Sequence, residues 1–508
     1  MSAASLDEAR ERHRRGELPG AIDAYSEFLA ENPQRADAWH LRALAEHQAG
    51  RLEAAWQSVS NAVGAGDAGS PTLLLAGLIA RDRGDLAAAD DWFARAASSR
   101  PGWGPPLANR GQVLMELGRT GEALEVLRAA GAAEPTNARV WNNMALALLK
   151  LDRLDEAKRA FEHTLTLTPL ATAHFNLARI HNLRNEVPKA MEQANAAVQR
   201  DPGLTDAYLL LGDLYRKLRD AEGMRRSYAQ AVRANPRSTR ARNAYAEFLA
   251  SVGDAEGAKT AYRHILAEEP GGLRAALGAV LTLPQVYASP GDVGDWRRKF
   301  TEGLEGLEAS AERFRYPTPR EAIDQARWSN FYLAYQGRDD RELQSRYGDL
   351  IEGVLRPAFA GLTEARARAP RRDRIRVGFS SHFFFNCTVG RYFSSWITRL
   401  DPKRFEAYVY YTNDWIADDT RAVAAAAAVF RHLPGRSFDM VARHILDDQL
   451  DALVYPEMGM HVQSFPLGAL RLAPVQVAGW GHPVTTGLPQ IDYFVSCEAM
   501  EPGDSPGH

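Results

Sequence analysis

The chain has 508 residues, which at roughly 150 per domain bounds it at about three domains. Its 61 Lys and Arg against 64 Asp and Glu leave a net charge of −3, which excludes nucleic-acid binding driven by a general excess of positive charge. Two cysteines, Cys387 and Cys497, exclude a disulfide framework and a four-thiolate zinc site and favour a reducing compartment, the cytoplasm. The N-terminus MSAASLDEARERHRR lacks an apolar signal region, and the longest apolar run, Ala422 to Phe430, is too short for a membrane span.

From the N-terminus onward, several positions repeat in one register. Prolines at 33, 101, 135, 169, 202, 236 and 270 are spaced 68, 34, 34, 33, 34 and 34 residues, with Asp67 at the skipped site. Gly16, Gly50, Gly84 and Gly118 step by 34, continue through Asp152, and return as Arg219 and Gly253. Ala21, Ala55, Ala89, Ala123, Ala157, Ala190 and Ala258 form a third series, with Met224 in the intervening slot. Six positions after the first five of these prolines and after Asp67 stands a large apolar residue: Trp39, Leu73, Leu107, Trp141, Phe175 and Tyr208.

Each register has a physical reason. Glycine relieves a left-handed turn between two helices, a small alanine lets paired helices approach, and proline closes the second helix because it cannot continue it. An ordinary bundle has no reason to repeat these positions together. The pattern resembles the tetratricopeptide repeat over residues 6–272, about eight units, and predicts an α-solenoid with a concave peptide-binding groove. Asn109, Asn142, Asn143 and Asn176 are candidates to hold the backbone of an extended peptide there, although solvated polar positions explain them equally.

Between 273 and 370 the register stops. SPGD (Ser289 to Asp292) and YPTP (Tyr316 to Pro319) divide a helical connector, and Ser329 to Val354 carries aromatic and aliphatic residues at helical spacing that suit packing against a neighbouring domain. The run ARARAPRRDR, ending at Arg374, marks a boundary as a solvated basic linker.

Residues 371–508 change pattern to an α/β alternation. RIRVGFS (374–380), FEAYVYYT (405–412), LDALVYP (450–456), PVQVAGW (474–480) and IDYFVS (491–496) read as buried strands. Thr388 to Leu400, Ala417 to Val429 and Phe438 to Gln449 read as helices between them. This order predicts a parallel, Rossmann-like sheet whose ligands lie beyond the carboxyl ends of the strands. Two loops after strands stand out, SSHFFFNCTVG (380–390) and GWGHPVTTG (479–487). Spacing alone leaves each open as a turn or a phosphate cradle.

Taken together, RIRVGFSSHFFFN, LDALVYPEMGMH and LRLAPVQVAGWGHPVTTGLPQIDYFVS resemble the N-terminal catalytic lobe of the O-linked N-acetylglucosamine transferase family, which includes the SPINDLY-type proteins. That family also carries tetratricopeptide repeats ahead of its transferase region. The resemblance implies a GT-B glycosyltransferase in which a protein Ser or Thr hydroxyl attacks the anomeric carbon of a UDP-sugar, with inversion and without metal or cofactor. The repeats would recognise acceptor proteins or peptides, and neither nucleic acid nor membrane is an expected partner. It further implies His382 and Cys387 as catalytic candidates, and Asn386, Thr388, Gly481, His482, Pro483, Thr485, Thr486 and Gly487 as substrate-binding ones.

Two departures bear on that expectation. Where the family's first loop has histidine after the asparagine, this sequence has Cys387, which could accept a proton only as a thiolate of lowered pKa; His382, five residues earlier, is a possible stand-in. The family's second Rossmann-like lobe, which carries most of the nucleotide-binding residues and needs roughly 150 to 200 residues, has no counterpart before His508. The expectation is therefore a protein O-glycosyltransferase inactive as this chain alone. The alternative is a non-catalytic peptide-binding adaptor with a remnant lobe.

Overall fold

The computed structural model describes residues 6–362, 364, 372–462, 464–482 and 485–496. It divides into two compact units, Met1–Pro202 and Gly203–His508. In the first unit the helices pair as α1 (Leu6–Arg14) with α2 (Leu18–Glu31), α3 (Ala36–Gln48) with α4 (Leu52–Gly64), and α5 (Ser70–Asp82) with α6 (Leu86–Ser99). The pairs α7 (Gly104–Glu116) with α8 (Thr120–Ala133), α9 (Ala138–Lys150) with α10 (Leu154–Leu167), and α11 (Ala171–Leu183) with α12 (Val187–Arg200) follow. The second unit opens with two more, α13 (Thr205–Lys217) with α14 (Ala221–Ala234) and α15 (Thr239–Ser251) with α16 (Ala255–Glu268).

All eight turns place one residue in the left-handed region: Gly16, Gly50, Gly84, Gly118, Asp152, Asn185, Arg219 and Gly253. Asn185, absent from the sequence register because its repeat is one residue short, completes the series. A second close contact also recurs: a Cβ on Gly77, Gly111 or Gly212 would lie 2.5, 2.5 and 2.3 Å from the Phe93, Leu127 and Tyr228 side chains. Each large residue fills the space the glycine leaves, and burying such a side chain is worth about 1.5–3 kcal/mol. The Trp39 and Trp141 indoles donate to the Pro33 and Pro135 carbonyls, both at 2.8 Å, which ties each opening aromatic to the proline six residues before it.

The connecting helices are α17 (Leu273–Leu281), α18 (Pro290–Ala309), α19 (Pro319–Gln325) and α20 (Arg341–Leu355). Both Pro-containing breaks are helix starts: Ser289 caps α18 in a reciprocal capping box with Asp292, and Thr318 caps α19. The aromatic segment 331–336 forms a 3-10 turn, ended by left-handed Gly337, instead of extending α20 backwards.

Six strands follow, all parallel: β1 (Ile375–Ser381), β2 (Phe405–Tyr411), β3 (Val429–His432), β4 (Ala452–Tyr455), β5 (Val475–Gly479) and β6 (Tyr493–Val495). Their spatial order is β3-β2-β1-β4-β5-β6. Helices α21 (Thr388–Thr398), α22 (Asp418–Ala426), α23 (Phe438–Asp447) and α24 (Ser464–Gly468) lie between them. The sheet is the Rossmann-type arrangement expected, with one correction. The helix expected to reach Val429 stops at Ala426, and Val429–His432 is a sixth strand, paired with Tyr408–Tyr411 of β2.

Alternation along the strands gives the sheet two buried faces. Tyr410, Leu453 and Tyr455 share a core with Phe300 and Leu304 of α18 and Tyr347 and Ile351 of α20, so the connector covers one face. Phe379, Val409, Tyr411 and Val454 pack with Phe384 and Phe393 on the other. Among the described residues, no helix is long and apolar enough to cross a membrane.

Candidate functional site

The strand order reverses direction between β1 and β4, so the crevice outside their carboxyl ends is the favoured ligand position of an open parallel sheet. Three loops meet there: residues 382–387 after β1, 456–462 after β4, and 480–482 after β5. The Gly481 N–H donates to the Pro456 carbonyl at 2.9 Å, and a Cβ on Gly481 would lie 2.7 Å from Cβ of Glu457, so the β5 loop lies directly on the β4 loop.

His382 leaves β1 into this crevice. Its Nδ1 is 3.2 Å from the Thr412 hydroxyl, its carbonyl accepts from Asn413 Nδ2 at 3.1 Å, and its ring stacks on His461 with centroids 3.9 Å apart and planes 5° from parallel. Burial pushes the His382 imidazole down to about 4, against the opposing charge of Asp414. His461 is also held far below the usual histidine range, first by burial and then by His382 and Arg327, and its buried Nδ1 has no hydrogen-bond partner. Two neutral imidazoles can stack face to face, whereas two imidazolium ions would repel.

Glu457 lies beneath them. It is 1 % exposed, and its Oε1 accepts the His382 backbone N–H at 3.2 Å. Burial raises the carboxyl to about 7, opposed by the Ser381 hydroxyl and the His382 amide, while Oε2 makes no bond of good geometry. Such a group gains or loses a proton near neutrality, as general acid–base chemistry requires. Neither Glu457 nor His461 is a candidate on sequence grounds. Their signal was the run EMGMH directly after the apolar strand LDALVYP, which gains meaning once β4 is known to lie beside β1.

The other candidates of the first loop are arranged differently. Cys387 caps α21: its sulfur accepts the Gly390 N–H and donates to the Phe383 carbonyl, both at 3.4 Å. Burial raises its pKa, the opposite of what a thiolate base needs. Asn386 is exposed and accepts from the Arg391 guanidinium at 3.0 and 3.2 Å, and Thr388 is the exposed first residue of α21.

The structure separates the second loop into two parts. Gly481 and His482 stay at the crevice. His482 is buried with Nε2 unpartnered, its ring 5.4 Å from that of Phe331, and burial lowers its pKa. Thr485, Thr486 and Gly487 run against α20 instead. The Thr485 and Thr486 hydroxyls accept the Gly487 and Leu488 amides at 3.4 and 3.2 Å, and a Cβ on Gly348 would lie 2.3 Å from the Gly487 carbonyl oxygen. Pro483 and Cys497 lie outside the described residues.

In the first unit, a groove of about 760 Å3 is lined by Gln112, Glu116, Arg139, Asn143, Lys150 and Arg179. Asn143 faces it, whereas Asn109 is bonded to the Pro105 carbonyl and Arg81, and Asn176 to the Thr172 carbonyl and Arg179. Asn142 keeps a buried, unpartnered Oδ1.

Tetratricopeptide repeat families match residues 6–71, 108–157, 142–205 and 205–238. The probable UDP-N-acetylglucosamine–peptide N-acetylglucosaminyltransferase SPINDLY of Arabidopsis thaliana is 30% identical over 139 residues, 26% of this chain and 15% of the relative. The Hordeum vulgare protein of the same description is 31% identical over 128 residues, 24% of this chain and 13% of the relative. The chain thus matches only a small share of the length of these curated relatives. Among solved structures, an O-GlcNAc transferase mutant of Thermobaculum terrenum aligns with a TM-score of 0.45 at 21% identity, covering 66% of this chain and 55% of that one. The chain is a tetratricopeptide-repeat protein with a Rossmann-type lobe whose sequence relatives include the SPINDLY-type O-linked N-acetylglucosamine transferases.

Proposed function

We propose that the chain belongs to a protein O-glycosyltransferase of GT-B architecture, acting in the cytoplasm, in which residues 6–272 recognise an acceptor polypeptide, 273–370 connect, and 371–508 form one wall of a UDP-sugar cleft. The observation that carries this reading is the set of His382, Glu457, His461 and His482 at the strand-order reversal of a parallel sheet. In the reaction, an acceptor Ser or Thr oxygen bonds to the anomeric carbon as the bond from that carbon to the diphosphate breaks. The hydroxyl proton passes to a base, and UDP leaves with the bonding pair. His382, neutral through burial, has a lone pair to accept that proton, and an anionic diphosphate nearby would raise its basicity. Glu457 orients the His382 backbone. Gly481 and His482 stand where the donor would lie, and the candidate roles of Asn386, Thr388, Thr485, Thr486 and Gly487 reduce to shaping the two loops.

The test is transfer by the protein purified from its native source: UDP-N-acetylglucosamine plus Ser/Thr peptides, read by mass spectrometry as a gain of one N-acetylhexosamine. His382→Ala should abolish that gain while leaving peptide binding intact. Transfer unchanged in the variant would remove His382 from the reaction. A second reading, a peptide-binding adaptor, is favoured by one observation, the Cys387 thiol used as a helix cap with a raised pKa. Under that reading peptides bind and no mass gain occurs.

A further inference from the structure

A cavity of about 290 Å3 in the second unit is lined by α15, α16, α17, the segment 327–332 and Val462. Its polar groups can be counted against their partners. Arg274 is spoken for by Glu247, with which it forms a close ion pair. Thr282 and Ser251 donate to the Gly278 and Phe248 carbonyls, Ser329 to the Gly459 carbonyl, and Asn330 to Gln344 while accepting from Trp328. Two groups remain. The hydroxyl of Tyr262, a fully buried residue, has no partner, and neither does the buried Nε of Arg327. No carboxylate forms an ion pair with Arg327 among the described residues, and its guanidinium carbon lies 5.3 Å from the Phe438 ring.

A guanidinium has donors only and keeps its charge, so a buried one without an acceptor is costly to fold. Burial first and then the second guanidinium, Arg274, disfavour the charge on Arg327, and the more weakly acting carboxylates of Glu247 and Asp324 offset this only in part. The lining therefore carries two guanidiniums against the single carboxylate of Glu247, which Arg274 engages, and leaves Arg327 Nε and the Tyr262 hydroxyl without an acceptor. We infer that it is a carboxylate-binding subsite, in which Arg327 and the Tyr262 hydroxyl take the two oxygens of one carboxylate.

The carboxylate can come from a Glu or Asp side chain of a bound polypeptide or from a free small acid. The polypeptide source rests on the acceptor-recognition reading above. The cavity borders the crevice: Val462 follows His461, the Ser329 hydroxyl binds the Gly459 carbonyl, and Phe331 packs on His482. An acidic residue seated in the cavity would therefore fix where a polypeptide lies relative to those histidines.

The test is calorimetric titration of the full chain with succinate, with a short alanine-based peptide carrying one central Glu, and with the same peptide carrying Gln. Binding of succinate or of the Glu peptide, with the Gln peptide at least tenfold weaker, is the expected result, and which of the two binds identifies the source. Arg327→Gln should abolish it. Tyr262→Phe, which removes only an oxygen, should weaken it about tenfold, the worth of one hydrogen bond to a charged group. No heat from either acid, or equal affinity for the Glu and Gln peptides, would overturn the inference. So would undiminished binding by a folded Tyr262→Phe chain together with Arg327→Gln. Because the readout is binding, absence of sugar transfer leaves it standing.

Discussion

The repeats and the α/β lobe both contain glycines in the left-handed region, and the two sets meet different demands. At Gly50 a Cβ would find nothing within 4 Å, so only the backbone dihedral selects glycine. At Gly487 the same dihedral is combined with an approach in which a Cβ would lie 2.1 Å from the Gln344 carbonyl carbon of α20. The repeat position is dictated by its own turn, the lobe position by a segment more than a hundred residues earlier. Local demands recur with every repeat and tolerate exceptions, as Asp152, Asn185 and Arg219 show. The demand at Gly487 is set once, by backbone of α20 that a side chain cannot displace.

Substitution at the two kinds of glycine tests that contrast most severely. Gly487→Ala should cost about 4 kcal/mol or prevent folding of the second unit, because backbone and not a yielding side chain stands in the way. Denaturant titration reads the loss, and a cost near that of a turn glycine would break the comparison.

The buried acid of the lobe gives the next largest effect. The Glu457 carboxyl is raised from 4.5 to about 7, so the folded state keeps a proton the unfolded chain has lost, and stability falls as pH rises between those values. His382, lowered from 6.5 to about 4, acts oppositely, its contribution being lost as pH falls through that range. Glu457→Gln removes the first effect alone. The variant should be more stable than the parent by about 3 kcal/mol at pH 8, with the gap closing below pH 4.5. A gap independent of pH would show that Glu457 does not titrate in this way.

In the repeats the effects are smaller. Gly50→Ala should cost about 1 kcal/mol, the penalty of a side chain in the left-handed region with free space around it. Arg219, exposed and left-handed at φ 57°, should reward the reverse change. Arg219→Gly gains about 0.5 kcal/mol, after the greater entropy of glycine in the unfolded chain is deducted. A thermal melt of the chain checks both, and a loss on Arg219→Gly would mean that its side chain makes a contact of value.

The same distinction explains what was legible in the sequence. The repeats could be read because proline, turn residue, alanine and opening aromatic each state one local constraint many times. The parallel sheet could be read from apolar runs. The strand Val429–His432 could not, because the alanine-rich residues before it favour helix and only pairing with β2 makes it a strand. Glu457 and His461 stand in the run LDALVYPEMGMH, but only the strand order, which brings the end of β4 beside β1, gives them a place at the site. The sequence GHPVTTG reads as one loop, yet Gly481 rests on Glu457 and Gly487 on α20.

The indole bond from Trp39 to Pro33, repeated from Trp141 to Pro135, fixes the distance between the end of one helix pair and the start of the next. With a left-handed residue in the turn inside every pair, the array behaves as a ruler with divisions of 33 or 34 residues. Insertions or deletions of a few residues would break both marks at once, whereas loss or duplication of a whole division would keep them. The array can therefore change length only in discrete steps, and any ligand that lies along it gains or loses contacts one helix pair at a time.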